Sequence, residues 1–384
     1  MTIDRQELIT RAIELSPLVR RHADWSNRHR RQHPEVQGAL AGAGLHRLAV
    51  PEDVGGIGAD PVTMIKVIEA VSRADGSAGW ALMIGIEGLG VASGYLPPTT
   101  ISPLLADKPD TIMASALIPL GTATPVGGGY RVRGRWPFAS GVHNADRWWG
   151  GCVVDDGRGT RPRPTIQAMI PRSEITIHDT WNVAGLAGTG SHDVEIDDVF
   201  VPNEHTTDAL GGRPTTDDAL FRIPLMARFA CNKVGVSTGI ARAALDTFID
   251  LAKTKTPRGG RSTLAERPRA QLAIAEAEAT LNGGRAWVLE IVEELWDSAV
   301  DDRPIGPELH AKLRLSCSNA ARAAMEAVDM VHGAAGTTPN AAGHPLDRQF
   351  RDVHVVPQQL TVAPHMIETA GRVLLGLEPD LDVF

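Results

Sequence analysis

The sequence predicts an α+β protein of three successive domains: an N-terminal helical domain, a small middle β-barrel or sandwich, and a C-terminal helical bundle. Three observations predict this order. Apolar residues follow helical spacing up to about residue 108, then alternate with a period of two, and return to helical spacing from about residue 215. We place the domains at residues 1–109, 110–207 and 208–384.

The first domain is predicted to be helical throughout. One amphipathic helix follows the cap Asp60-Pro61, and its apolar side is formed by Val62, Ile65, Ile68 and Val71. The next stretch, from Ser77 to Tyr95, is apolar on nearly all sides and has the length of a buried core helix. It contains a single acid, Glu87, whose burial would be costly unless it were paired or functional.

The middle domain begins where the chain becomes rich in Gly, Pro, Val and Ile. Tyr130, Val132, Trp136 and Phe138 alternate with arginines, which is typical of a strand with one apolar face. The ranges 165–170 and 194–201 are predicted to be further strands. Turns are predicted at Gly127–Gly129 and at Asp197-Asp198.

The third domain is predicted to contain three long, alanine-rich helices, within residues 235–251, 268–296 and 308–331. Small residues allow helices to approach closely, as they do in a bundle. The last two of these helices are long enough to extend beyond the core of one protomer. We therefore expect a homo-oligomer, either a dimer or a tetramer.

The composition excludes several classes of protein. The formal charge of −8 argues against a nucleic-acid binder, and no run of about 20 apolar residues exists that could span a membrane. The three cysteines, Cys152, Cys231 and Cys317, are far apart and form no disulfide framework or metal motif. These features predict a soluble cytoplasmic protein.

Common catalytic and nucleotide-binding motifs are missing or lie in the wrong context. No complete GxGxxG or P-loop motif is present. His29 and His33 have i, i+4 spacing but lack the glutamate of HExxH, so we predict no metal site. Ser237 lies in a GxSxG match that suggests a serine hydrolase, yet the surrounding pattern is helical rather than strand–turn–helix.

The segment from Gly134 to Gly141 is the most informative one. It contains two aromatic residues, Trp136 and Phe138, followed by the hydroxyl of Ser140. A flavin ring needs an apolar wall and a hydrogen-bond partner near its N5 edge, and positions i and i+2 of a strand share a face. The alternative interpretation is a core strand that enters a turn, and the segment alone does not decide between them.

Several motifs in order resemble the acyl-CoA dehydrogenase superfamily, and most closely its two-component flavin monooxygenases. The resemblance covers nearly the whole chain, and its main stretches are 43–56, 115–117, 134–149, 179–202, 332–336 and 348–352. It implies the acyl-CoA dehydrogenase fold and a bound flavin, either FAD or FMN, which is used in reduced form by the monooxygenases. It also implies that Trp136, Phe138 and Ser140 contact the flavin, and that the strand Ser115–Leu117 lies along its ring.

The chain departs from the family pattern at its catalytic positions. Leu360 stands where many acyl-CoA dehydrogenases have a catalytic glutamate. Gln359 and Glu87 stand near the places of two histidines that are frequent in the monooxygenase branch. His354 or His365 would be able to substitute for them. We expect Glu87 to face the substrate above the flavin and to transfer protons, and the alternative is that it is paired with an arginine.

Two residues concern the identity of the flavin. The FAD-binding members use an arginine and a glycine-rich loop of a neighbouring subunit, for which Arg258 and Gly333 are the candidates here. The chain has no recognisable NAD(P)H-binding motif, so the resemblance implies a separate flavin reductase or electron-transfer protein. A small aromatic or apolar substrate is expected. The alternatives are an acyl-CoA dehydrogenase with an atypical base, a Ser237 hydrolase, and a non-catalytic scaffold.

Overall fold

The computed structural model describes residues 4–157, 163–208, 210–341 and 343–381. It confirms the predicted order of helices, a central sheet and further helices. The predicted domain boundaries at 109/110 and 207/208 fall in the segments between the elements of these three regions.

In the part of the chain that the structure describes, six α-helices precede the sheet: α1 (Arg5–Glu14), α2 (Ser16–His29), α3 (Pro34–Gly42), α4 (Pro61–Ala74), α5 (Gly76–Tyr95) and α6 (Pro98–Asp107). The Asp60 carboxylate caps α4 by accepting a hydrogen bond of 3.0 Å from the backbone N–H of Thr63. The predicted apolar side of α4 is buried. Helix α5 coincides with the predicted apolar helix, and Asp75 caps its first turn.

Seven strands form one mixed sheet within the described residues: β1 (Met113–Val126), β2 (Gly129–Trp136), β3 (Arg147–Val154), β4 (Thr165–Pro171), β5 (Thr176–His178), β6 (Asp193–Pro202) and β7 (Thr206–Thr207). Their order across the sheet is β5-β6-β2-β1-β3-β4-β7. Strands β1 and β3 are parallel, whereas the other neighbouring pairs are antiparallel. The sheet has its own apolar core, which includes Trp136 and Trp148.

The turn predicted at Asp197-Asp198 was wrong, because both residues lie within β6. The pairing of β2 with β6 is irregular there, and Asp198 adopts a left-handed backbone with φ of 53°. Such an irregularity is a bulge, which interrupts the ladder without ending the strand. The local sequence resembles a turn because a bulge also favours residues that tolerate positive φ.

Five helices follow the sheet: α7 (Leu225–Thr254), α8 (Pro268–Val300), α9 (Pro307–Ala334), α10 (Pro345–Val353) and α11 (Pro364–Leu374). Helix α7 packs against α4 and α5 of the first region and against α8 and α9 of its own region. The two helical regions therefore share a continuous apolar core. None of the described helices is long and apolar enough to cross a membrane.

Candidate active site

The chain makes a strained turn directly after β2. Phe138 has a left-handed φ of 62°, and its side chain is 68% exposed. The N–H of Ser140 then donates to the carbonyl oxygen of Phe138 at 2.9 Å, and Gly141 is also left-handed. A bulky residue in this conformation costs free energy, and such strain is concentrated at functional sites. The turn thus presents an aromatic ring to open space.

The two aromatic residues of this segment face different environments. Trp136 is fully buried against Trp148 in the core of the sheet, and its indole N–H donates to the carbonyl oxygen of Gly151 at 2.7 Å. The expectation that Trp136 contacts a flavin is therefore corrected, since its ring has no exposed face. Phe138 does not continue the alternation of β2, because the strand ends at Trp136; its ring lies edge-on to Trp181, 6.0 Å away.

Ser140 begins a chain of buried hydroxyl groups. Its Oγ lies 2.6 Å from Oγ of Ser191, which lies 2.7 Å from Oγ1 of Thr189, and Thr189 donates to the carbonyl oxygen of Leu186. At the other end, the indole N–H of Trp80 donates to Oγ of Ser140 at 3.1 Å.

The direction of every hydrogen bond in this chain follows from its two ends. A carbonyl oxygen only accepts and an indole N–H only donates, and each hydroxyl has one proton. The proton of Thr189 goes to Leu186, so Ser191 donates to Thr189 and Ser140 donates to Ser191. The proton of Ser140 is thus already used, and one lone pair accepts from Trp80, so only the second lone pair of its oxygen is available to a ligand.

Helix α5 connects this turn with Glu87. In α5, which the structure describes completely, only Trp80 and Ile84 are not fully buried. They share a helix face with Glu87, since positions i, i+4 and i+7 lie above one another. The open face of α5 therefore runs from the Ser140 turn to Glu87, a distance of about 10 Å along the helix axis.

Strand β1 closes the other side of α5. Ser115 packs against Gly88, where an added Cβ would lie only 3.3 Å from Cβ and Oγ of Ser115. Leu117 is partly buried against the helical core, whereas Ile118 and Leu120 are 61% and 51% exposed. The register between β1 and β3 shifts after Ala116, which displaces these residues from the regular ladder. Ile118 and Leu120 thus form an exposed apolar surface where the sheet meets the helices.

Glu87 belongs to a buried ion pair. Its two carboxylate oxygens accept hydrogen bonds of 2.7 and 2.8 Å from Nζ of Lys233 on α7, and Asn232 donates a third one of 3.2 Å. Burial raises the pKa of Glu87 and lowers that of Lys233, while their mutual attraction opposes both shifts. The partner that the sequence analysis considered was an arginine, but the structure provides a lysine.

Arg228 lies on α7 one turn before Asn232. It is 6% exposed, and its guanidinium lies 4.5 Å from the centre of the Phe221 ring. Arg228, Asn232 and Lys233 did not emerge from the sequence analysis. A usable signal was present, because these polar residues interrupt an otherwise apolar and small-residue helix in the same way as Glu87 interrupts α5.

Comparison with known proteins agrees with this architecture. Residues 12–93 match the family described as acyl-CoA dehydrogenase, N-terminal domain, and residues 233–363 match acyl-CoA dehydrogenase, C-terminal domain. An indole-3-acetate monooxygenase of Pseudomonas putida is 36% identical over 361 residues, which cover 92% of this chain and 90% of that protein.

The chain belongs to the acyl-CoA dehydrogenase family.

Further relatives define the branch of this family. The oxygenase component of an FADH(2)-dependent resorcinol hydroxylase from Rhizobium sp. (strain MTP-10005) is 29% identical over 97% of this chain and 95% of its own length. The crystal structure of 3-HSA hydroxylase from Rhodococcus sp. RHA1 has a TM-score of 0.87 at 27% identity, covering 98% of both chains. The chain is therefore a flavin-dependent oxidoreductase of the monooxygenase branch.

The residues at the Ser140 turn fit the flavin ring of this family. An exposed aromatic ring on a strained backbone and the exposed Ile118 and Leu120 offer an apolar wall. The oxygen of Ser140 offers a polar partner beside that wall. Neutral contacts of this kind suit an isoalloxazine ring, which has an apolar dimethylbenzene end and an end rich in nitrogen and oxygen atoms.

The C-terminal candidates lie after α10. The side-chain oxygen of Gln359 accepts hydrogen bonds from the N–H and the hydroxyl of Thr361, and Leu360 is 39% exposed. His365 is half-buried in the first turn of α11, and His354 bonds to the carbonyl oxygen of Phe350. In the described structure, neither Gln359 nor His365 forms a hydrogen bond to the Ser140 turn.

Gly333 lines a hollow, and Arg258 follows directly after another residue of its lining, Pro257. Arg258 is exposed between α7 and α8, and Gly333 is exposed in the last turn of α9. A cavity of about 290 Å³ between these segments is lined by Lys255, Pro257, Arg267, Arg269 and Gly333, among others. Nζ of Lys255 donates to the carbonyl oxygen of Ala335 and joins the two segments. The hollow is thus rich in positive charge.

The serine hydrolase alternative has no structural basis. Ser237 is fully buried within α7 and donates to the carbonyl oxygen of Val234, so it is not at a nucleophile elbow. Of the two histidines with i, i+4 spacing, His29 stacks on Trp25, and His33 stacks on His22.

Proposed function

We propose that this protein is the oxygenase component of a two-component monooxygenase, which hydroxylates a small aromatic substrate with molecular oxygen and reduced flavin. The observation that carries the proposal is the strained, exposed Phe138 beside the oriented hydroxyl of Ser140. The names of the relatives support the reaction class, since they include an indole-3-acetate monooxygenase and a resorcinol hydroxylase.

Reduced flavin, when bound, supplies the electrons that activate oxygen. Phe138 and the backbone of Ser115 to Leu117 would hold the ring. Ser140 accepts a hydrogen bond, because its own proton is directed to Ser191. That polarity matches the N5–H donor of a reduced flavin and not the bare N5 of an oxidised one.

The open face of α5 then forms one wall of the substrate site. Trp80 and Ile84 lie along it between the Ser140 turn and Glu87. Glu87 is held as a carboxylate by Lys233 and Asn232, so we now assign it the role of orienting Lys233 rather than that of a free base. Gln359 and His365 remain proposed catalytic residues because of their places in the family resemblance.

We further propose that the flavin is FAD and that the active protein is a homo-oligomer. The positively charged hollow at Lys255 and Gly333, beside Arg258, suits a diphosphate. In the family this surface serves the flavin of a neighbouring subunit, and the resorcinol hydroxylase is FADH(2)-dependent by name. A separate reductase would deliver the reduced flavin, and the cytoplasmic location stays a prediction.

The test is oxygen incorporation. Purified protein is mixed with chemically reduced FAD, ¹⁸O₂ and a panel of indoles and phenols, and products are analysed by mass spectrometry. We expect one ¹⁸O atom in the organic product, and less product from Ser140→Ala than from the wild type. Oxidation of all flavin to hydrogen peroxide, with no labelled product from any compound, would contradict the proposal.

The same preparation tests the acyl-CoA dehydrogenase alternative. A dehydrogenase would bleach its oxidised flavin when an acyl-CoA is added without oxygen. We expect no bleaching, because the position of the usual base is taken by Leu360, which cannot accept a proton.

A further inference from the structure

We propose that Arg228, on α7 near the buried Glu87–Lys233 pair, binds a carboxylate group of the aromatic substrate. This inference rests on the proposed function and specifies its substrate class as aromatic acids. It is carried by the charge balance, the unused donors and the aromatic surroundings of Arg228.

The charge balance of the buried cluster leaves one positive charge. Glu87 and Lys233 neutralise each other, and each is no more than 6% exposed. Arg228 is buried beside them. Burial lowers its pKa to about 10, so the guanidinium still carries its charge at neutral pH. The Tyr95 side chain hydrogen-bonds to the guanidinium, and Asp218 and Glu87 attract it more weakly. The Asp218 carboxylate is half-buried and caps the turn at Leu220.

The guanidinium also has donors to spare. Nε and Nη2 of Arg228 have no hydrogen-bond partner within the described part of the chain, although both are buried. These two N–H groups point in the same direction and form the side of the guanidinium that binds a carboxylate with two parallel hydrogen bonds. A buried, unused donor pair is costly unless a ligand satisfies it.

Aromatic side chains surround these donors. The Phe221 ring lies under the guanidinium, and the Tyr95 ring lies 6.1 Å from that of Phe221. Phe229 lies 5.3 Å from Nζ of Lys233. An aromatic acid would place its ring among apolar walls and its carboxylate on Arg228, which is how small-molecule sites combine apolar lining with few polar anchors.

The position of Arg228 relative to the Ser140 turn also agrees with a substrate-binding role. The open face of α5 leads from Trp80, which bonds to Ser140, to Glu87, and Glu87 lies within electrostatic range of Arg228. A substrate anchored at Arg228 would therefore extend along α5 toward the flavin contacts. The carboxylate would fix the distance and the orientation of the ring.

The experiment compares aromatic acids with their neutral amides by titration calorimetry. The probes are indole-3-acetate with indole-3-acetamide, and 4-hydroxyphenylacetate with its amide, added to the purified oxygenase. We expect the wild type to bind at least one acid roughly 10- to 100-fold more tightly than its amide, which corresponds to a charge-assisted hydrogen-bond pair.

Variants of Arg228 test whether this residue causes the preference for the acid over the amide. Arg228→Gln should remove it, and Arg228→Lys should keep part of it, because the charge remains and the fork is lost. Lys253→Gln is the control, since it removes an exposed charge near the other end of α7. Should Arg228→Gln fail to fold, Arg228→Lys and the acid–amide comparison in the wild type still test whether Arg228 binds the carboxylate.

Equal binding of acid and amide in both pairs would overturn the inference, and so would an unchanged preference in Arg228→Gln. The proposed function fails independently of this result. If no compound yields labelled product while the Arg228-dependent preference persists, the anion site stands and the oxygenase proposal does not.

Discussion

The Ser140 turn and the Glu87 cluster lie at opposite ends of one helix face and are built on opposite principles. The turn is neutral: its contacts are hydroxyl groups, one indole N–H and an exposed ring. The cluster is charged and closed, with Glu87, Lys233 and Arg228 each nearly inaccessible. Neutral, oriented dipoles suit a ligand that is oxidised and reduced in the site. Buried charges suit a ligand that carries a permanent ionic group.

The difference also predicts unequal tolerance to mutation. Loss of a neutral hydrogen bond leaves one polar group unpaired, whereas loss of one ion-pair partner leaves a buried charge unpaired. The following predictions test this contrast, from the largest expected effect to the smallest.

Lys233→Met should be the most damaging single change. It leaves the Glu87 carboxylate buried with Asn232 as its remaining hydrogen-bond donor among the described residues, which should lower the free energy of unfolding by about 3–5 kcal/mol. Urea unfolding followed by circular dichroism measures the loss. The double variant Glu87→Leu/Lys233→Met should recover most of it, and failure to recover would show that the pair is not the cause.

Ser140→Ala should cost less, about 1–3 kcal/mol, because it leaves the indole N–H of Trp80 without its acceptor. Ser140→Thr is the matched variant, since it keeps the hydroxyl. The same urea experiment compares them. A loss as large as that of Lys233→Met would remove the distinction between the two regions.

Asp352 connects the turn to the C-terminal region and should give it a pH dependence. Its carboxylate accepts from the N–H of Leu186, and burial, together with the nearby Asp75, raises its pKa to about 7. The folded state thus keeps a proton that the unfolded chain loses near pH 4. The stabilisation is complete below that pH and is lost as the pH rises to about 7, by at most about 1.4 kcal/mol per pH unit.

Asp352→Asn isolates this effect. The difference in unfolding free energy between wild type and variant should fall from pH 4 to pH 7 and then stay constant. Denaturation in a series of buffers measures it. A difference that does not vary with pH would mean that Asp352 has an ordinary pKa.

Phe138→Gly should have the smallest effect on the fold and a selective effect on the flavin. Glycine adopts the left-handed conformation without strain, so we expect the unfolding free energy to change by less than about 1 kcal/mol. Flavin affinity should fall roughly three- to tenfold with the loss of the ring. Fluorescence titration measures the affinity, and Phe138→Tyr, which keeps the ring, should bind normally.

The sequence was sufficient to predict the helices and strands whose apolar residues recur with a clear period. Helix α4 was predicted from its cap and its three-residue repeat, and α5 from its apolar length. The strand over 130–136 was also correct, but the predicted alternation extended it to Phe138, beyond its end at Trp136. The bulge at Asp198 was not predicted, because bulges and turns favour the same residues and differ only in whether the hydrogen-bonded pairing of the strands continues.

The site was harder to predict than the fold. Glu87 was identified as an unusual acid, but its partner lies 146 residues away, and no local pattern encodes that pairing. Trp80 and Arg228 were missed for the same reason. The different fates of Trp136 and Phe138 depend on one left-handed φ, which alternation along a strand does not predict.

The one-directional chain from Trp80 through Ser140 to Leu186 has a consequence for the flavin's redox thermodynamics. A site that favours the N5–H form binds reduced flavin more tightly than oxidised flavin. By thermodynamic linkage, this preference raises the midpoint potential of the bound flavin above that of the free molecule. Four hydrogen bonds with a fixed direction would thereby help to keep the bound flavin reduced until oxygen arrives.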